Sequence, residues 1–283
     1  MRLHLCGTRG STPAPGADFL RYGGHTSCVA VAHDDAPVSL LVDAGTGVRR
    51  VTALLRDRPF VGAILLGHLH WDHTQGLPFF QAGDHPDAQV DLYLPAQHGA
   101  AAAVLARGFS PPHFPIGPEG LRGRWAFHGL DEGVHQIAGF EVLAREIPHK
   151  GGRTFGYRIS DGTASVAYLS DHHPASLGDG PQGFGPYHEA ACALASGVDV
   201  LLHDAQYLAS EWPQRRTFGH STVDYAVGLA EAAGVGRLVL FHHDPDRTDE
   251  QVEALTTCAN AMSPVDVSAA AEGDVIALPW ADA

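Results

Sequence analysis

Six short apolar runs in this chain each end on a residue able to hold a metal, and this recurrence constrains the fold more than any other feature. "VSLLVD" ends at Asp43, "VGAILLGH" at His68 and "FEVLAREIPH" at His149. "ASVAYLSD" ends at Asp171, "VDVLLHD" at His203 and Asp204, and "RLVLFHH" reaches His242. Short apolar runs bounded by turn residues read as buried strands. In α/β proteins ligands gather at the carboxyl ends of strands. The six endings therefore predict one site assembled from distant segments.

The densest cluster is "GHLHWDHTQGLP", residues 67–78. His68 and His70 alternate along an extended segment, which turns both side chains to one side. Asp72 and His73 then enter a helix and face a second position nearby. Imidazole and carboxylate donors together suit zinc, manganese or iron. One short segment can thus serve two metals, as in two-metal hydrolases. With 19 histidines in the chain some clusters must arise by chance; what weighs here is the order His-x-His-x-Asp-His directly after a buried strand.

Helices are expected between the strands. "GVRRVTALLRD" (47–57) is amphipathic, and a helix opening at Asp72 is kept short by Gly76 and Pro78. Another covers 187–196. In "STVDYAVGLAEAAG", Ser221 reads as the N-cap, Asp224 as its capping-box partner and Gly234 as the residue past the end. "TDEQVEALTTCANA" starts the last helix. The proline- and glycine-rich stretch 108–124 reads as a long loop over the active face, where specificity commonly resides. The alternation predicts an α/β fold with two packed sheets and helices outside. It is expected to be a single domain over 1–283, with halves meeting near residue 150.

The formal charge of -14, with Lys150 the only lysine, disfavours large duplex nucleic acid, whose binding rests on dense positive charge. A small molecule is the better partner. No apolar segment is long enough to span a bilayer, and "MRLHLCGTRGS" reads as a first strand rather than a signal peptide. The cysteines (Cys6, Cys28, Cys192, Cys258) form no Cys-x-x-Cys pair. That pattern suits a reducing cytoplasm and argues against a thiolate metal site.

The segment "GHLHWDH", followed in order by "IPHKGG", "YLSDHH" and "LFHHDP" and preceded by "LVDAGTG", resembles the metallo-β-lactamase superfamily over nearly the whole chain. The resemblance implies a four-layer αβ/βα sandwich, two mixed β-sheets flanked by helices, with two divalent ions at their top edge. Zinc is the expected metal, with manganese or iron as alternatives. It implies His68, His70 and His149 as ligands of one ion, Asp72, His73 and His242 of the other, and Asp171 as the bridge. Asp43 resembles the outer residue that holds a ligand loop or histidine in place.

Within the superfamily the C-terminal half is similar to the ribonuclease Z-like branch. The likeness is carried by "VLLHDAQY" and "FGHSTVDYAVGLAEAAGVGRLVLFHHDP". It implies a catalytic role for Asp72, for His220 at the phosphate or leaving oxygen, and for Asp204 in orienting His220. His220 lies just before a helix N-terminus, which favours an anion, and a neighbouring carboxylate would favour its protonated form. Ser221, Arg153 and His113 are the expected substrate contacts; Lys150, Arg215 and Arg216 are further phosphate contacts. Strand register favours His242 over His243 as ligand. His172 and His173 read as surface residues, His25 as structural, and "GTRGS" (7–11) only half resembles a phosphate-binding turn.

The superfamily's activities include hydrolysis of β-lactams, thioesters and phosphodiesters, and flavin-dependent oxygen reduction. No flavodoxin-like segment and no export signal is apparent, and the His-Ser-Thr motif favours phosphodiesters, where a second acid helps an alkoxide leave. The glycine- and lysine-rich arm that clamps tRNA in ribonuclease Z enzymes is not identifiable. A small or cyclic phosphodiester is therefore expected as substrate. The alternatives are a ribonuclease Z-like RNA 3′-end endonuclease, a thioester or lactone hydrolase of the same fold, and a non-catalytic sensor. The resemblance also suggests a homodimer.

Overall fold

The computed structural model describes residues 1–279. Among these residues, fourteen strands form two seven-stranded sheets. The first contains β1 (Arg2–Gly7), β2 (Cys28–Ala32), β3 (Leu40–Val42), β4 (Val61–Leu65), β5 (Gln89–Pro95) and β6 (Arg124–Leu130). The second contains β7 (Gly133–Ile137), β8 (Phe140–Glu146), β9 (Phe155–Ser160), β10 (Ser165–Leu169), β11 (Val200–Asp204), β12 (Arg237–Phe241) and β13 (Asp266–Ala269). The last strand, β14 (Val275–Ala277), returns to pair antiparallel with β1. The change of sheet thus falls between Leu130 and Gly133, earlier than the division expected near residue 150, and β14 crosses back over it. Both sheets are mixed: β3 to β6 and β10 to β13 run parallel to their neighbours, and the remaining pairings are antiparallel.

Alternation along each strand builds the layers. In β10, Val166 and Tyr168 face the other sheet, while Ala167 and Leu169 face the helices behind. A strand buried on both faces reads as a continuous apolar run, which is why these segments stand out in the sequence. Between the sheets Leu3, Val31, Val42, Phe140, Tyr157 and Phe241 make one core. Behind the first sheet, α1 (Val48–Leu54) and α3 (Ala101–Leu105) cover Leu41, Ile64 and Leu92. Behind the second, α4 (Glu189–Ala195), α6 (Val223–Ala233) and α7 (Asp249–Met262) cover Leu201 and Leu240. Two single-turn helices complete the set, α2 (Trp71–Thr74) and α5 (Trp212–Arg215). Among the described residues no helix is long and apolar enough to cross a membrane.

Helix ends largely follow local chemistry. Thr248 caps α7 with a full capping box, closed by Gln251. Gly234 ends α6 in the left-handed conformation at φ 64°. The N-cap of α6, however, is Thr222, whose side chain accepts from the Tyr225 amide, and not Ser221. Ser221 is fully buried and donates its hydroxyl to the His172 carbonyl at 2.6 Å.

Candidate metal centre

Asp43, Asp171, Asp204 and His242 follow or close the strands β3, β10, β11 and β12 at one shared edge of the two sheets. The loops after β1, β4 and β8 bring Ser11, the 68–73 cluster and His149 to the same edge. Asp43, Asp171 and His242 take left-handed backbone, with φ of 61°, 56° and 58°. Such conformations in residues other than glycine cost energy and persist where the surroundings enforce them. Here the turn throws each side chain off its strand end and into the cleft.

Four atoms converge first. The Asp72 Oδ2 lies 3.2 Å from His73 Nε2 and 3.1 Å from His242 Nε2. Asp171 Oδ2 lies 2.8 Å from His73 Nε2 and 3.1 Å from His242 Nε2. The other Asp171 oxygen faces a second set: Oδ1 is 3.6 Å from His149 Nε2 and 3.8 Å from His68 Nε2, and His149 Nε2 is 3.3 Å from His70 Nδ1. Asp171 therefore presents one oxygen to each set. The two groups His68, His70, His149, Asp171 and Asp72, His73, Asp171, His242 each place one donor atom per residue within 4.8 Å of all the others.

These donors suit a cation. A tetrahedral zinc site with bonds of about 2.0–2.1 Å places its ligand atoms about 3.3 Å apart, close to the spacings here. Among the described residues, buried His68 Nε2 and His73 Nε2 make no well-aligned hydrogen bond, an expensive condition unless an ion or proton sits there. Burial, helped by the neighbouring His73, holds the His68 imidazole well below its ordinary pKa, and burial lowers His149 to about 4. Both rings thus keep free lone pairs at neutral pH. His73 opposes its burial because Asp171, Asp72 and Asp43 surround it, and its pKa is pushed well up. Asp171 is held well below the carboxylate range against its burial by His242, His73 and His68. Carboxylates crowd the His73 ring so closely that it holds a proton, and a divalent ion in place of that proton would answer the same charge.

The supports around the cluster are specific. Asp43 Oδ2 accepts from His73 Nδ1 and from the Tyr168 hydroxyl, both at 2.6 Å, and Asp43 Oδ1 accepts from the Gly67 amide at 2.7 Å. One buried carboxylate thus orients a ring and ties down the loop that carries it. His149 donates Nδ1–H to the Gly219 carbonyl at 2.7 Å, which turns Nε2 inward. The Ser11 amide donates to Asp72 Oδ2 at 2.7 Å. Gly10 must be glycine, since a Cβ there would lie 2.4 Å from His242 Nδ1.

Beside the cluster, His220 Nδ1 lies 2.9 Å from Asp204 Oδ2 and 3.7 Å from Asp171 Oδ1. Burial works against its charge, but Asp204, with Asp171 and Asp72 behind it, raises the pKa to about 8. Asp204 is itself held by the His172 and Gln206 amides. Behind it runs a file of imidazoles with fixed tautomers. His188 Nε2 lies 2.8 Å from His172 Nε2, His172 Nδ1 lies 3.0 Å from His203 Nε2, and His203 Nδ1 donates to the Asp204 carbonyl at 2.7 Å.

The expected contacts divide between the rim of the site, where Arg153 and Lys150 stand, and places away from it. Ser221 is turned into the protein by its bond to His172 and cannot meet a substrate. His172 and His173 are buried rather than on the surface, because the strand-end turn folds them under the chain. Arg153 binds Glu146 at 2.8 Å and the Ala96 carbonyl at 2.9 Å, on the rim of a 420 Å³ cavity that includes His68 and His70. His113 lines a different cavity, of 980 Å³, and does not join the cluster. Lys150 binds the Thr217 carbonyl, Arg216 pairs with Asp179, and Arg215 stacks on Tyr207 and Phe218. His243 points away, to the Ala270 carbonyl. Sequence reasoning missed Tyr168 and Ser11, and it read His203 only as a metal-capable strand ending, whereas the structure places it behind Asp204. A buried tyrosine inside "ASVAYLSD" was a usable signal for the first, since its hydroxyl needs a partner.

Residues 39–243 match the family described as "Beta-lactamase superfamily domain". The chain is 31% identical over 256 residues to a ribonuclease Z of Mycobacterium sp. (strain KMS), covering 83% of this chain and 82% of that one. It is 26% identical over 309 residues to a ribonuclease Z of Streptococcus mutans, covering 91% and 96%. Among solved structures, a diphosphatase of the PhnP family superimposes with a TM-score of 0.72 at 20% identity over 98% of this chain and 97% of that one. The short form of human tRNase Z does so with a TM-score of 0.63 at 19% identity over 99% and 100%. At such identities these two structures speak to the fold.

Proposed function

The chain belongs to the metallo-β-lactamase superfamily of hydrolases, and on that premise we propose that it is a two-metal phosphodiesterase acting on a small or cyclic phosphodiester. His68, His70 and His149 would hold one divalent ion, Asp72, His73 and His242 the other, and Asp171 would bridge them. Bound there, two such ions would acidify the attacking water and polarise the phosphoryl oxygens. The rest falls to the chain. Asp72, anchored by the Ser11 amide, orients the water at the cluster. Protonated His220 offers its Nε2–H to the departing oxygen, while Asp204 fixes Nδ1 and so fixes which nitrogen faces the substrate.

The observation that carries this reading is the buried Asp204–His220 pair beside Asp171. Hydrolysis of an ester with a poor leaving group needs an acid on the far side from the nucleophile, and a positioned acid is worth roughly 10²–10⁴-fold. The test is turnover of bis(p-nitrophenyl) phosphate by metal-analysed protein, beside His220→Ala. Turnover with two ions per chain supports the proposal, and His220→Ala should cost at least about 100-fold on a diester with an alkoxide leaving group and less on this aryl diester, whose nitrophenolate departs without a proton. Two bound ions without phosphodiester turnover would sink it and turn attention to thioesters and lactones.

A second reading is favoured by the relatives named ribonuclease Z: cleavage at RNA 3′ ends. The charge of -14 and single lysine weaken it, because RNA affinity rests on cationic contacts. Endonucleolytic release of a 3′ trailer from a precursor tRNA, faster than any small diester is cleaved, would make it the better account.

A further inference from the structure

On the side of Trp71 the rim of the site carries open aromatic rings. Trp71 stands between His70 and Asp72 in sequence, yet its indole is 74% exposed. It lines three adjoining cavities: the small one holding His70, Asp72, Asp171 and His220, the one holding His68, and the 980 Å³ cavity beyond. In that largest cavity Phe79 and Phe114 meet edge to face at 5.7 Å, and Phe109 meets Phe114 at 6.2 Å. Phe79 is itself 55% exposed. Large aromatics left open beside a polar cleft mark a binding surface.

The polar groups of the cavity narrow the occupant. Gln75 and Gln81 reach its wall among the rings, and both carry donors and acceptors that can read the edge of a planar heterocycle. Arg49 and Arg107 also line it, and neither has an ion-pair partner among the described residues. Arg107 lines the His68 cavity as well. A ligand with a flat face, hydrogen-bonding edges and an anionic end satisfies all three features. A dialkyl phosphate satisfies only the last.

We propose that the cavity beyond Trp71 takes the base of a nucleoside, stacked on the indole and the Phe79 ring, while its phosphodiester reaches the histidine–aspartate cluster. This rests on the phosphodiesterase reading and names its substrate class: a single nucleoside ester, not a simple alkyl phosphate. Arg107, at the junction of two cavities, lies on the path of the phosphate. The loop around His113 forms the outer wall.

The test compares two substrates with one leaving group, thymidine 5′-(p-nitrophenyl phosphate) and methyl p-nitrophenyl phosphate, on the metal-loaded chain. The nucleoside ester is expected to have a kcat/KM at least about tenfold higher, the worth of one base–aromatic stack. Trp71→Ala should collapse that ratio about tenfold, and Trp71→Phe, which keeps a ring, should restore most of it. Equal kcat/KM for both substrates in the unaltered chain, or a ratio that Trp71→Ala leaves unchanged, overturns the proposal. Binding of thymidine, which carries no phosphate, separates the two levels of inference. Thymidine bound in a Trp71-dependent way without any diester turnover would leave the cavity assignment standing and remove the chemistry. Turnover of bis(p-nitrophenyl) phosphate with no thymidine binding and no preference for the nucleoside ester would do the reverse.

Discussion

At the scale of residues, His220 shows how much a single neighbour decides. Its sequence position, just before a helix, suggests an anion site; the carboxylate of Asp204 at 2.9 Å is what makes it an acid at neutral pH. Because its pKa is raised from 6.5 to about 8, the protonated form persists through neutrality and is lost as pH rises through about 8. Turnover that needs this proton should fall on the alkaline side of about pH 8. His220→Ala, measured across the same range, should lose that limb as well as the rate. An alkaline limb that survives in the variant would assign the titration to another group. The sign for stability is the same: the ion pair contributes fully below 6.5 and its contribution disappears above 8. Legibility differed from residue to residue. The His68–His73 cluster could be read directly, because residues close in sequence and bounded by a strand have few places to go. Ser221 could not, since which of two adjacent hydroxyls caps a helix depends on where the preceding loop is held. Here a bond from Ser221 to His172 decides it, leaving Thr222 as the cap.

At the scale of elements, β11 and the turn after β10 share a support whose members are distant in sequence. The file His188, His172, His203 keeps both nitrogens of His172 and of His203 engaged only while those rings are neutral. Burial keeps His172 well below its ordinary pKa and lowers His203 to about 4. In the unfolded chain these rings take up protons near 6.5, so the unfolded state binds more protons between about 6.5 and 4. Folding stability should therefore decline as pH falls through that window. Thermal melts from pH 7 to pH 4 will check this. His203→Gln, which removes a titrating ring, should flatten the decline. A melting temperature indifferent to pH over that range would show the file to be unimportant. The strands that lead into the cluster, β3, β4, β8, β10, β11 and β12, were legible as apolar runs. The change of sheet after Leu130 was not, because a turn between two sheets has the same local chemistry as a hairpin within one.

At the scale of the whole molecule, the candidate centre lies on the seam between two packed sheets. Asp43, His68, His70, Asp72 and His73 come from loops of the first sheet; His149, Asp171, Asp204, His220 and His242 come from the second. A cation held there would tie the two halves together. Removing it leaves Asp72, Asp171 and Asp43 facing one another through histidines alone, so chelation should lower the melting temperature. For a site occupied at about 100 times its dissociation constant the loss is roughly 3 kcal/mol, or about 5–10 °C for a chain of this size. Circular dichroism with and without chelator, followed by zinc return, measures it; a melt insensitive to metal would remove the cluster from the list of cation sites.

The sequence by itself marked six of the strands, each leading to a histidine or aspartate, and placed His68, His70, Asp72 and His73 together in one short segment. Those are local matters: side-chain period, burial on both faces and short separation settle them without reference to the rest of the chain. Only the tertiary structure decided that Asp171 divides its two oxygens between two sets of donors, and that Asp204 stands against His220. It also decided that Trp71 opens toward an aromatic cavity rather than into the core. The first depends on how two sheets are set against each other and the others on how the loops of one half pack together; distances of about 3 Å between residues far apart in the chain are fixed by packing, which no local pattern records.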